Sequence, residues 1–146
     1  MEEYPRHILE GKQIFGGGFV AHVPVLLNAV PAQFGLPTDV LDFDWSCLAL
    51  VDRAIDRTGV EFCLQPNPFC SLVAFVGEFE NRYSDSCWQM RPGLNDMWEP
   101  WVVSSHGSRA PFLTIYNRLD SDEGFCPLAW AVRTDVSFLC RHRFNR

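Results

Sequence analysis

The sequence predicts an α+β fold, with helices in the N-terminal half packed on a small antiparallel sheet and one or two further helices or strands at the C-terminus. Three observations predict it. Apolar residues recur at 3–4 spacing between residues 46 and 83. From Cys87 onward aromatic and β-branched residues alternate with turn signals. The chain of 146 residues, 47% hydrophobic with five Trp and twelve Phe, is large and apolar enough to bury one core. A single domain over 1–146 is expected, with 1–18 as a loosely attached segment and 141–146 as a short basic tail.

Gly16-Gly17-Gly18 reads as a flexible joint, because three glycines lose much backbone entropy on ordering, and no Gly-Lys-Ser/Thr follows to make a phosphate loop. In VPVLLNAV, Pro24 suits a first helical position and Pro31 ends or kinks the run, which predicts a short first helix. Asp44 or Ser46 then caps SCLALVDRAIDR. There Leu48, Val51 and Ile55 form one face and Asp52, Arg53, Asp56 and Arg57 the other, and Thr58-Gly59 ends the helix. Asn67 as N-cap and Pro68 as first residue begin a third helix, along which Phe69, Leu72, Val76, Phe79 and Tyr83 step 3, 4, 3 and 4 residues apart. CWQM and WEPWVVSS read as strands joined by the RPGLND turn, with a second turn at His106-Gly107. Residues 111–142 stay open between helix and strand, because Thr114 and Ile115 are β-branched and LAWAV and VSFLC also alternate with period two.

Composition limits the function classes. Six cysteines would suit a disulfide framework in a secreted chain, but the N-terminus MEEYPRHILEGKQ has no basic region leading into an apolar one. Free thiols and a cytoplasmic location are therefore expected, most of the cysteines acting as small hydrophobes beside Phe or Leu. No apolar stretch reaches the ~18 residues of a membrane span. The net charge is −6, from 18 acids and 12 bases. Three of those bases lie in the terminal RHRFNR, which leaves residues 1–140 with 18 acids against 9 bases. Such a body repels phosphate backbones, so nucleic acid is not an expected partner.

The runs LDFDWSCLALVDRAIDR, LVAFVGEFENRYSDSCW and EPWVVSSHGSRAPFLTIYNRL carry a resemblance over roughly residues 41–120. With Leu41, Asp42, Ser46, Leu48, Val51 and Asp52, then Phe75, Val76, Gly77, Glu78 and Trp88, then Pro111, Phe112, Arg118 and Leu119, the chain resembles a family of small bacterial domains of uncharacterised function. That family has a Ser-Leu-x-x-Leu-Asp helix, a Val-Gly-Glu helix and a following Trp strand. Cys47, Val51, Ala110 and Asn117 depart from its pattern. The resemblance implies an α+β fold with Gly77-Glu78 at its centre and no established activity; accessory or toxin-neutralising roles enter by analogy only.

Glu78 falls about 120° from the centre of its helix's apolar stripe, at the border of the buried face. Arg82, four residues on, is the expected ion-pair partner there, with a neighbouring backbone amide as the other choice. Gly77 costs the helix ~1 kcal/mol against Ala, which points to close approach of another backbone. Trp88, Trp98 and Trp101 close the sheet over the helices or, should one be exposed beside Glu99, offer an aromatic surface to a peptide or sugar ring. Ser104-Ser105-His106-Gly107 makes no nucleophile–base pair, because adjacent side chains diverge. Cys140-x-His142 is two soft ligands short of a structural zinc site, so no metal and no cofactor is expected.

These signals lean away from an enzyme. The expected function is a soluble, non-enzymatic protein-binding or accessory module with an acidic surface, its partner a basic protein, with self-association as a homodimer left open. The binding candidates are Glu78, Arg82, Trp88, Trp98, Glu99, Trp101 and His106. The alternative is a small hydrolase or transferase using Glu78 with His106 or a cysteine, and a cleft joining Glu78 to His106 is what would favour it.

Overall fold

The computed structural model describes residues 11–92, 97–120 and 127–140. Its element order is helices α1 (Phe19–Phe34), α2 (Ser46–Thr58), a one-turn α3 (Val60–Cys63) and α4 (Pro66–Tyr83), strands β1 (Cys87–Pro92), β2 (Trp98–Ser104) and β3 (Gly107–Arg109), then helices α5 (Pro111–Asp120) and α6 (Leu128–Leu139). This is the expected α+β layout. The RPGLND turn, Asp96, Cys126, His142 and the basic tail lie wholly or largely outside the described residues.

Helix α4 is the axis of the core. Of its predicted stripe, Phe69, Leu72, Val76 and Phe79 are buried and Tyr83 is partly buried, but Cys70, Ser71, Val73, Ala74, Phe75, Gly77 and Glu80 are buried as well. A helix buried nearly all round has neighbours on every side; here they are α1, α5, α6 and the sheet. The helix begins at Pro66, with Gln65 in the capping position, in place of the expected cap at Asn67.

The first helix is longer than predicted, and Pro24 and Pro31 lie inside it. Each proline removes one helical hydrogen bond, and the burial of Phe19, Val23, Leu26, Val30 and Phe34 along one face offsets the loss. Gly35, in the left-handed region, ends the helix, and its N–H and that of Leu36 both donate to the Pro31 carbonyl. The triple glycine forms a 3-10 turn leading directly into α1 rather than a flexible joint. Nor are residues 12–18 loosely attached. Gln13 is buried and donates from Nε2 to the carbonyls of Gly16 and Trp98, and Cys70 donates to the Lys12 carbonyl.

Helix α2 spans the predicted segment and buries Leu48, Val51 and Ile55 together with Cys47 and Ala54. Neither Asp44 nor Ser46 caps it with a side chain. Ser46 donates to Asp44 instead, and the turn closes through the Asp44 carbonyl and the Cys47 N–H. Its polar face is not simply solvated. Arg57 donates to the Phe34 carbonyl at 2.6 Å, and Asp52 is tied to α5 and α6.

The sheet is antiparallel in the order β1-β2-β3, with Trp88 opposite Val102 and Gln89 opposite Trp101. Ser105 and His106 form the two-residue turn between β2 and β3, a short strand the sequence did not suggest. Residues 111–120 and 128–139 are helical, so both of the open segments resolve to helix. Phe112, Ile115 and Leu119 in α5 and Leu128, Val132 and Leu139 in α6 are buried against the rest of the protein, and the 3–4 spacing overrides the local β-propensity.

Candidate functional site

Glu78 does not pair with Arg82. Its Oε2 accepts the indole N–H of Trp88 at 2.9 Å, while Arg82 lies over the Phe43 ring, 4.5 Å from its centroid. The Trp88 ring also explains Gly77, because a Cβ there would overlap the indole. The close neighbour is thus a side chain and not the expected backbone. Trp88 and Glu78 form one packing unit between β1 and α4, and Phe19 meets the Trp88 ring edge-on at 5.8 Å.

The remaining tryptophans separate. Trp98 is 39% exposed and packs against Gly17, but its neighbour Glu99 is buried, so the exposed indole has no exposed carboxylate beside it in the strand. Trp101 carries Arg91 over its ring at 4.7 Å, and Arg91 also donates to Gln89 and Ser108. The predicted site residues therefore do not form one cluster.

Besides the Glu78–Trp88 pair, two others meet at a cleft. Arg82 and His106 line a cleft of about 540 Å³ bounded by the end of α4, the β2–β3 turn and the end of α6, with Ser84, Asp85 and Cys140 completing its walls. Glu78 is not among the lining residues. Several groups that could act as nucleophiles are engaged with backbone: Ser84 Oγ donates to the Glu80 carbonyl at 2.6 Å, Ser104 Oγ to that of Leu139 at 2.8 Å, and Cys140 Sγ to that of Tyr83 at 3.2 Å. The segment before α2, which exposes Asp39, Asp42 and Asp44, is tied to two cleft residues through Phe43: the Tyr83 hydroxyl donates to its carbonyl at 2.6 Å and Arg82 lies over its ring.

The deeply buried acid is Glu80, not Glu78. Its side chain is 0% exposed and neither oxygen receives a hydrogen bond from a donor group. Burial first, and then Asp135 as acceptor and neighbouring charge, hold its carboxyl well above the usual range against the opposing pull of Arg109. Its surroundings therefore favour the neutral acid, next to Asp135. Asp135 accepts the Thr114 hydroxyl at 3.0 Å and forms an ion pair with Arg109 at 3.2 Å, and Arg109 stacks on Phe138. The sequence held a signal for Glu80, which stands seven residues after Val73 and four after Val76, within the apolar period.

A second polar cluster is structural. Arg118 donates to Asp52 at 2.6 Å and to Asp56 at 3.0 Å, and Asp52 also accepts the Leu128 N–H at the start of α6. Among the described residues there is no disulfide and no group of three or more His, Cys, Asp or Glu side chains arranged to hold a metal. Cys47, Cys63 and Cys70 are buried, as the thiol reading expects, whereas Cys87 is exposed. No described helix is long and apolar enough to cross a membrane.

Compared with protein-family models, curated proteins and solved structures, the chain matches none.

Proposed function

We propose that the protein is a non-enzymatic binding domain that docks a basic segment of a protein partner at the cleft between Arg82 and His106. The observation that carries this reading is the exposed Asp85 in the wall of a recess whose Ser84, Ser104 and Cys140 are hydrogen-bonded to backbone, with the acidic segment Asp39, Asp42 and Asp44 joined to the same wall through the contacts of Phe43 with Arg82 and Tyr83. Exposed acidic residues raise the encounter rate with a cationic partner, and a pre-formed recess fixes the docked segment at low entropic cost. The hydrolase or transferase alternative requires Glu78 to work with His106 or a cysteine, and the Trp88 bond directs Glu78 elsewhere.

A photo-crosslinking residue at Ser105, which is exposed on the turn, tests the proposal. The expected result is one dominant protein adduct that weakens with added salt, with His106→Ala and with joint replacement of Asp39, Asp42 and Asp44 by Asn. Adducts no stronger than those formed from exposed Ala32 on α1 would count against it. Turnover of ester or phosphate substrates lost in His106→Ala would favour the enzymatic alternative.

A further inference from the structure

Away from the cleft, α5 and α6 border two adjoining recesses of about 150 and 240 Å³. Both are lined by Thr114, Asn117 and Asp135. Each has one tryptophan in its wall: Trp130, 58% exposed, in the smaller and Trp101 in the larger. An exposed indole on a helix is costly to hydrate and marks a contact surface when polar groups converge beside it.

We propose that these paired recesses are a binding site for a neutral oligosaccharide, with one sugar ring over Trp130, the next beside Trp101, and the hydroxyls of both read by Thr114, Asn117 and Asp135. The C–H face of a pyranose ring is apolar and suits an indole, while its vicinal hydroxyls need groups that donate and accept side by side. Asn117 does both, while the Thr114 oxygen, whose proton goes to Asp135, and Asp135 itself accept. Each recess is smaller than the ~300 Å³ at which drug-sized pockets begin, and two joined at a shared polar ridge suit two linked rings.

Charge selects against ionic ligands. Arg109 is paired with Asp135, and Arg118 with Asp52 and Asp56, so the cations in the walls are already compensated; Arg91, which lines neither recess, covers one side of the Trp101 ring and leaves its edge to the ligand. Asp135 is held in place from behind, since its side chain is 13% exposed and it keeps Thr114 as a donor and Glu80 as a buried neighbour. A fixed carboxylate in the wall of both recesses is pre-organised to accept hydroxyls.

Saturation-transfer NMR with tetrasaccharides of glucose, of xylose and of N-acetylglucosamine tests this on the full chain. At least one should show transfer, with affinity falling about tenfold or more in both Trp130→Ala and Asn117→Ala, a loss of ~1.4 kcal/mol or more. Trp98→Ala, which removes an indole lining neither recess, should leave binding unchanged. Because Trp130 and Asn117 are both exposed, these variants should keep the wild-type melting temperature, which separates loss of the site from loss of the fold. Absence of transfer to all three sugars, binding that survives both substitutions, or preferential uptake of an acidic oligogalacturonate would overturn the proposal.

Discussion

The indole of Trp88 occupies the space that a Cβ on Gly77 would need, and its N–H donates to the adjacent Glu78. Gly77→Ala would stabilise an exposed helix by ~1 kcal/mol. In α4 it should instead destabilise the protein by ~1–3 kcal/mol, since the ring is held by Phe19 and by Glu78 and has little room to give. Urea unfolding checks the sign, and in a Trp88→Leu background the penalty for the added methyl group should largely disappear. A stabilised Gly77→Ala single variant would mean that the indole is not the constraint.

Removing only the polar half of the contact gives a second expectation. Trp88→Phe keeps a ring against Gly77 but leaves Glu78 without its N–H donor, at a cost of ~1–3 kcal/mol for the bond to a carboxylate plus the smaller ring. Arg82→Ala should cost less, because Arg82 lies over Phe43 and is largely exposed. If Arg82→Ala proves the more damaging of the two, Glu78 is anchored by Arg82 after all.

Glu80 makes stability depend on pH. Its folded pKa is raised above its unfolded value, so its contribution is fully present below the ordinary glutamate range. That contribution is lost as pH rises through the raised value, when a charge must appear beside Asp135 in the core. Glu80→Gln retains a neutral side chain that can donate to Asp135. It should flatten the loss of stability above the ordinary glutamate range and leave the acid limb unchanged, as melting curves at stepped pH would register. An unaltered profile above the ordinary glutamate range in Glu80→Gln would place the titration elsewhere.

Arg118 joins three helices. Asp52 accepts from Arg118 and from the Leu128 N–H, so one carboxylate from α2 neutralises the α5 guanidinium and supplies the N-terminal cap that α6 lacks in its own sequence. Arg118→Met should destabilise by ~3 kcal/mol or more, because it leaves the half-buried Asp52 without its cation. Asp56, which is exposed, carries much less of this, so Asp56→Asn should fall within ~0.5 kcal/mol of the parent.

Thiol reactivity should follow burial. Site-resolved iodoacetamide labelling of the native protein is expected to modify Cys87 first and Cys140 more slowly. Cys47, Cys63 and Cys70 should react only on unfolding. Burial pushes the Cys70 thiol up to about 12, which leaves almost no thiolate at neutral pH. Rapid native labelling of Cys70 would contradict its place in the core.

Much of the fold was legible as periodicity. The 3–4 spacing of Leu48, Val51 and Ile55 and of Phe69, Leu72, Val76 and Phe79 identifies the helices that become α2 and α4, and the aromatic and β-branched runs after Cys87 mark β1 and β2. Local spacing reports which side of an element is apolar; it does not report how many neighbours the element has. That is why α4 looked amphipathic and is buried nearly all round, and why α1 runs through two prolines. The site candidates divide in the same way. Residue types and charge singled out Glu78, Trp88 and His106. Long-range contacts decide that Glu78 meets Trp88 rather than Arg82, that His106 shares a cleft with Arg82, and that Glu80 faces Asp135 from a distant part of the chain. A carboxylate's partner and its protonation depend on what desolvates it, and only the tertiary packing sets that.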